Sequence, residues 1–168
     1  MGSARGKIDF HGYFPGVVGR ITEVHAVYYH EHWGFDATFE TQVGGELSEF
    51  IREFQKNRDG LWVATRGGGF AGSVVIDGRK AIDEGARLRW FIVVPDLQGS
   101  GLGNALMARA VAFCEDRGYE RVYLWTFKGL ESARILYERY KFCLCEERDV
   151  TQWGQNLREQ KYERIFRD

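Results

Sequence analysis

The run from Arg87 to Gly103 limits what this chain can fold into more than any other part of it. Arg87-Leu88-Arg89-Trp90 alternates between polar and apolar residues, and Phe91-Ile92-Val93-Val94 is apolar throughout. That change predicts a strand that is half exposed at first and then buried on both faces. Pro95 cannot donate to a ladder and ends it. A helical pattern follows within a few residues, from Gly101 to about Arg117. Leu102, Leu106, Ala110 and Phe113 share one face, and Gly118 stands at the C-cap. Val122-Tyr123-Leu124-Trp125-Thr126-Phe127 is a second strong strand. Two strands joined through a helix make a right-handed parallel crossover, and a doubly buried strand needs layers on both sides. An α/β domain results.

The remaining elements fit around this unit. Gly16 to Ile21 reads as a first strand, and Thr22 as the cap of a helix reaching about Trp33. Phe39, Val43, Leu47, Ile51 and Phe54 recur at helical spacing behind an Asp36 N-cap. Leu61–Arg66 and Phe70–Ile76 read as antiparallel strands. Glu131–Tyr140 reads as a short helix, and Phe142–Val150 with Leu157–Phe166 as a closing hairpin. The order β-α-α-β-β-β-α-β-α-β-β implies a mixed sheet. At 168 residues the chain is expected to form one domain over 1–168, with 1–14 as a loosely ordered N-terminal segment.

A formal net charge of −1 argues against a general nucleic-acid binder. No run of 18 apolar residues occurs and no apolar signal core opens the chain, so neither a membrane span nor secretion is expected. Cys114, Cys143 and Cys145 form neither a disulfide framework nor a metal motif, which favours a reducing, cytoplasmic setting. Cys143 and Cys145 read as small apolar residues on one strand face, the five tryptophans as mostly core, and His30-Glu31-His32 as helix surface, since i and i+2 point apart. No metal is expected.

Chemistry concentrates in the turn Gln98-Gly99-Ser100-Gly101-Leu102-Gly103. The first turn of a helix has unpaired N–H groups and the positive dipole end, and glycines let those amides approach an anion. This is a phosphate cradle. The Walker pattern is absent. The dinucleotide pattern fails at Asn104, which stands at its third glycine. Gln98-x-x-Gly101-x-Gly103 after a buried strand resembles the pyrophosphate loop of the GNAT superfamily of N-acetyltransferases. Downstream, Ala133, Tyr137 and Phe142 are in register with a second segment of that family. Two positions depart from it: Leu130 stands where many relatives have Asn, and Lys141 where Gly is usual. Trp125-Thr126-Phe127 with Gly129-Leu130, and Thr151-Gln152-Trp153-Gly154, look like the acetyltransferase half of MarR/GNAT fusion proteins.

The resemblance implies a GNAT-like, mostly antiparallel sheet flanked by helices, with a splayed parallel strand pair in the middle. It implies acetyl-CoA as acetyl donor and direct transfer to a primary amine on a small molecule or peptide. Backbone groups of Phe91, Ile92 and Val93 would hold the pantetheine arm. Amides of Gln98, Gly99, Ser100, Gly101, Leu102 and Gly103 would hold the pyrophosphate, and small Ala133 would let the coenzyme pass. An N–H near Val93 would stabilise the oxyanion, and Tyr137 would protonate the leaving thiolate. Glu84, just before the central strand, is the expected base, with Asp83, Glu23 and His25 as alternatives. The missing Asn at 130 keeps a second reading open, a non-catalytic acyl-CoA-binding sensor module on the same fold, and the glycine loop alone a third, a nucleotide-binding regulatory domain. A homodimer through the closing strands is also compatible.

Overall fold

The computed structural model describes residues 6–166. It has seven strands and four α-helices in the expected order. They are β1 (Ile8–His11), α1 (Val17–Trp33), α2 (Ala37–Arg52), β2 (Gly60–Arg66), β3 (Gly69–Asp77) and β4 (Ala86–Val93), then α3 (Leu102–Asp116), β5 (Arg121–Phe127), α4 (Glu131–Arg139), β6 (Cys143–Gln152) and β7 (Gln155–Ile165). One sheet holds them in the order β1-β2-β3-β4-β5-β7-β6. Every neighbouring pair is antiparallel except β4 and β5.

The two faces of the sheet are covered by different helices. Leu102, Leu106, Met107 and Ala110 of α3 and Tyr137 of α4 pack on Val74, Leu88, Val122, Leu124 and Tyr162 of one face. Val17 and Ile21 of α1 and Leu47 and Phe50 of α2 pack on Leu61, Val63 and Val75 of the other. In α2 the buried stripe is Phe39, Val43, Leu47 and Phe50, not Ile51 and Phe54, because the helix ends at Arg52 and leaves Phe54 exposed. Asp36 caps it as expected, accepting from Thr38 N at 2.9 Å. Gly44 fits between the helices: a Cβ there would lie 3.4 Å from Thr22 Cγ2.

The first strand lies elsewhere than the sequence suggests. Residues from Val17 to Ile21 are helical, because Val17, Ile21 and His25 form one buried stripe against the sheet. Burial at helical spacing overrides the strand propensity of Val17-Val18. The strand is β1, at Ile8–His11, inside the segment expected to be loosely ordered; residues 1–5 lie outside the described ones. Cys143 and Cys145 are exposed, beside a bulge between Leu144 and Glu146. The five tryptophans are half-buried.

Candidate active site

The parallel pair makes the site. β4 and β5 are in register only at Ala86↔Val122 and Arg87↔Tyr123, and part beyond them. A bulge in β4 helps to drive the separation. Ser73 of β3 faces Ile92, whereas Val75 faces Arg89, so β4 carries an extra residue between them. Trp90 takes a left-handed φ of 45° there, and its carbonyl is pinned by Ser73 Oγ at 2.7 Å. An extra residue bends its strand out of line with its neighbour. The resulting cleft has a volume of about 1200 Å³.

Phe91, Ile92, Val93, Gln98, Gly99, Gly101, Gly103, Ala133 and Tyr137 all line this cleft, so nine expected site residues come together. Ser100 and Leu102 do not line it. Ser100 Oγ donates to Leu97 O at 2.5 Å, and Leu102 is core. The amides of Gly99, Gly101, Gly103 and Asn104 donate to no group of the described residues. Gly99 (φ 79°) and Gly101 (φ 91°) have left-handed backbones, and no atom lies within 4 Å of where a Cβ would be. The loop is an open row of donors at the N-terminus of α3, as a diphosphate requires. At Gly103 a Cβ would make ordinary van der Waals contact with Leu136 and Phe91, at 3.4 and 3.5 Å. Gln98 Nε2 donates back to Val93 O at 3.2 Å and ties the loop to the end of β4.

Tyr137 is set by the end of its helix. Phe142 N donates to Tyr137 O at 3.0 Å and Lys141 N to Glu138 O at 2.9 Å, the two bonds of a Schellman cap. Lys141 occupies the left-handed position of that cap, φ 67°, where glycine is usual. Buried Phe142 packs 6.2 Å from the Tyr137 ring, centroid to centroid. The Tyr137 hydroxyl makes no hydrogen bond to the described residues and is not among the sealed polar atoms, so it opens on the cleft. Burial pushes its pKa well above the ordinary phenol value, with smaller contributions from Tyr29 and Tyr162. Tyr29 also lines the cleft.

Glu84 is not part of this arrangement. It lies exposed before β4, at the end where β4 and β5 are still paired, and its carboxylate is 3.7 Å from Lys80 Nζ. The cleft opens at the other end of β4. Asp83 and Glu23 are exposed and do not line it either. His25 does. Its Nδ1 lies 2.8 Å from Ile21 O, a pure acceptor, so Nδ1 carries the proton and Nε2 keeps its lone pair. Burial pushes the His25 pKa down to about 4, although the bond to Ile21 raises it.

The wall opposite α4 was not visible as a unit in the sequence. The β6–β7 turn docks on the α1–α2 corner: Asp36 N donates to Trp153 O at 3.0 Å, Trp153 Nε1 to Gln42 Oε1 at 2.9 Å, and Gln155 Nε2 to Gly34 O at 3.2 Å. Phe35, Phe39, Trp33, Phe127 and Trp153 pack together there. Above them Arg89 bridges Glu46 and Asp77, and its guanidinium lies 4.2 Å from the Trp90 ring centre. Trp125 lines the cleft beneath Arg148. Among the described residues no cluster of His, Cys, Asp or Glu could hold a metal ion, and no helix is long and apolar enough to cross a membrane.

The family model described as the acetyltransferase (GNAT) family matches residues 18–142. An uncharacterized N-acetyltransferase of Methanocaldococcus jannaschii is 27% identical over 128 residues, which is 74% of this chain and 55% of that protein. The chain therefore spans about half the length of that curated relative. Among solved structures, an N-acetyltransferase from Staphylococcus aureus Mu50 superposes with a TM-score of 0.78 at 13% identity, covering 96% of this chain and 99% of that one. A Salmonella typhimurium protein, provisionally named an acetyltransferase and solved with its cofactor acetyl-CoA, gives 0.75 at 14% identity, covering 96% and 95%. These likenesses establish the fold: a mostly antiparallel seven-stranded sheet with the parallel pair β4–β5, flanked by helices.

Proposed function

The chain belongs to the acetyltransferase (GNAT) family, and we propose that it transfers the acetyl group of acetyl-CoA directly to a primary amine of a small molecule or peptide. One observation carries this reading: the unpartnered loop amides and the free Tyr137 hydroxyl open on the same cleft between β4 and β5. The donor set suits acetyl-CoA. The amides of Gly99, Gly101, Gly103 and Asn104 would bind its diphosphate. The polar backbone edge that β4 frees after the bulge would align the pantetheine arm as an added strand. Ala133 leaves room for that arm between α4 and β4.

Acetyl-CoA supplies an activated acyl carbon. The amine nitrogen bonds to that carbon and the carbon–sulfur bond breaks. Tyr137 gives its proton to the departing sulfur; its raised pKa keeps that proton in place until then. The surplus amine proton leaves through water in the open cleft, which the exposed Glu84 does not line. An amide of β4 near Val93 stabilises the oxygen that gains charge. We read the chain as one acetyltransferase-like domain, and the likeness of Trp125-Thr126-Phe127 and Trp153-Gly154 to MarR/GNAT fusions as a likeness of that domain alone.

The test is thermal unfolding with acetyl-CoA, CoA, ATP and NAD. A ligand at 100 times its Kd adds about 2.7 kcal/mol, roughly 5–10 °C here. A shift with acetyl-CoA and CoA alone is expected. A shift with ATP or NAD instead would overturn the reading.

A further inference from the structure

Two side-chain atoms among the described residues are sealed from solvent with no hydrogen-bond partner: Glu159 Oε2 and Arg87 Nε. Both residues line the cleft. A buried group of a charged side chain without a partner is costly and rare in folded proteins. Glu159 lies on β7 directly opposite Phe127 of β5 and Arg148 of β6, so the three side chains form a row on one face. That face is the one on which Leu157 packs with Phe35, Phe39 and Trp153. Arg148 holds the other carboxylate oxygen, Oε1, at 3.2 Å, and also covers the Trp125 ring at 5.0 Å. Trp33 stands edge to face on Phe127 at 4.8 Å. The surroundings of the orphan oxygen are therefore aromatic; Arg148 is held by Oε1, and Lys161, two residues along β7, sits with its ammonium over the Tyr123 and Trp125 rings at 4.8 and 5.8 Å.

We infer that Glu159 is the ammonium-binding group of the acceptor site, and that the acceptor is a small primary amine with a flat, apolar, uncharged body. This inference rests on the acetyltransferase reading above. The ammonium donates to Oε2 after a turn of the carboxylate about its last bond, and the body lies along Phe127, Trp125 and Trp33. The position of Arg87 excludes α-amino acids. Arg87 is level with Tyr123, four residues before Phe127 on β5. At about 3.3 Å per residue, it is roughly 13 Å along the strand from the Glu159 row. A carboxylate one carbon from the amine would sit against Glu159, where the nearby cations are taken up, Arg148 by Glu159 Oε1 and Lys161 by the faces of Tyr123 and Trp125.

The experiment uses acetyl-CoA with phenethylamine and with phenylalanine, which differ by that carboxylate. The wild-type kcat/KM for phenethylamine is expected to exceed that for phenylalanine by 100-fold or more. Glu159→Gln keeps the shape and removes the charge. It is expected to raise the KM of phenethylamine by roughly 10–100-fold, as for loss of a charged hydrogen bond, and to leave the KM of acetyl-CoA unchanged. Equal use of both amines, or an unchanged phenethylamine KM in the variant, overturns the inference. Calorimetric titration of wild type with acetyl-CoA separates the two readings. If acetyl-CoA binds and phenethylamine is neither bound nor acetylated, this inference alone fails. If acetyl-CoA does not bind, the acetyltransferase reading fails with it.

Discussion

Removing one oxygen from Tyr137 separates chemistry from packing. The Tyr137→Phe ring keeps its neighbours, Phe91 and Phe142 at 6.2 Å and Tyr162 at 5.9 Å between centroids. The deleted hydroxyl has no partner among the described residues, so nothing is left unsatisfied. The stability change is expected to stay within about 0.5 kcal/mol, as for a substitution that breaks no named interaction. Loss of a general acid is expected to lower kcat by about 100-fold, or about 2.7 kcal/mol in the barrier. The KM of acetyl-CoA should not move. The assay is steady-state thiol release with an amine the wild type accepts, alongside thermal unfolding. Alkaline pH gives a second readout. Burial raises the folded pKa above the unfolded phenol value, so the unfolded chain loses this proton first. The stabilisation from the buried neutral phenol is complete below about pH 10 and is lost as pH rises further; the Phe variant lacks this component of the loss. An unchanged kcat would refute the acid role. A fall in kcat with a midpoint several degrees lower would show that the hydroxyl holds structure instead.

Other substitutions test the loop, the helix end and the buried imidazole. Gly101→Val places a β-branched residue at φ 91° with its Cβ on the open side of the loop, and is expected to weaken acetyl-CoA at least tenfold in a calorimetric titration. Unaltered affinity would remove the loop from the coenzyme site. Lys141→Gly relieves a left-handed residue in the α4 cap and is expected to stabilise by about 1 kcal/mol, a rise of roughly 2–4 °C in Tm. A lower Tm would contradict the cap assignment. The His25 pKa falls from 6.5 to about 4 on folding, so its contribution is present above pH 6.5 and lost as pH drops through 4. Over that window the loss is about 3 kcal/mol. Urea midpoints at pH 7 and 4.5 should converge in His25→Leu, and equal slopes in both proteins would show that His25 is not buried neutral.

The central strand, the glycine turn, α3 and β5 were legible from the sequence because each is written in short-range chemistry. Apolar continuity marks a strand covered on both faces, Pro95 ends it, and Gly99 and Gly101 mark backbone that only glycine adopts at little cost. Tyr137 was legible through its spacing from Ala133 and Phe142, and the Schellman cap shows why that spacing matters: it brings Phe142 under the Tyr137 ring. Val17-Val18 reads as strand because branched residues favour strands locally, while the packing of Val17 against the sheet and α2 is a long-range fact. Glu84 lies away from the cleft for a related reason. Proximity to β4 in the chain says nothing about which end of β4 opens, and that depends on where the ladder to β5 stops and where β4 bulges against β3. The cleft wall opposite α4 draws on residues as far apart as Trp33, Phe127 and Glu159. No local pattern joins them. Strand register sets Glu159 opposite Phe127 and Arg148, and the docking of the β6–β7 turn on the α1–α2 corner closes the wall. The sequence by itself determined the architecture and the open glycine turn at the start of α3, through periodicity and backbone conformation. Which groups face one another across the cleft was decided only by the packing of distant elements.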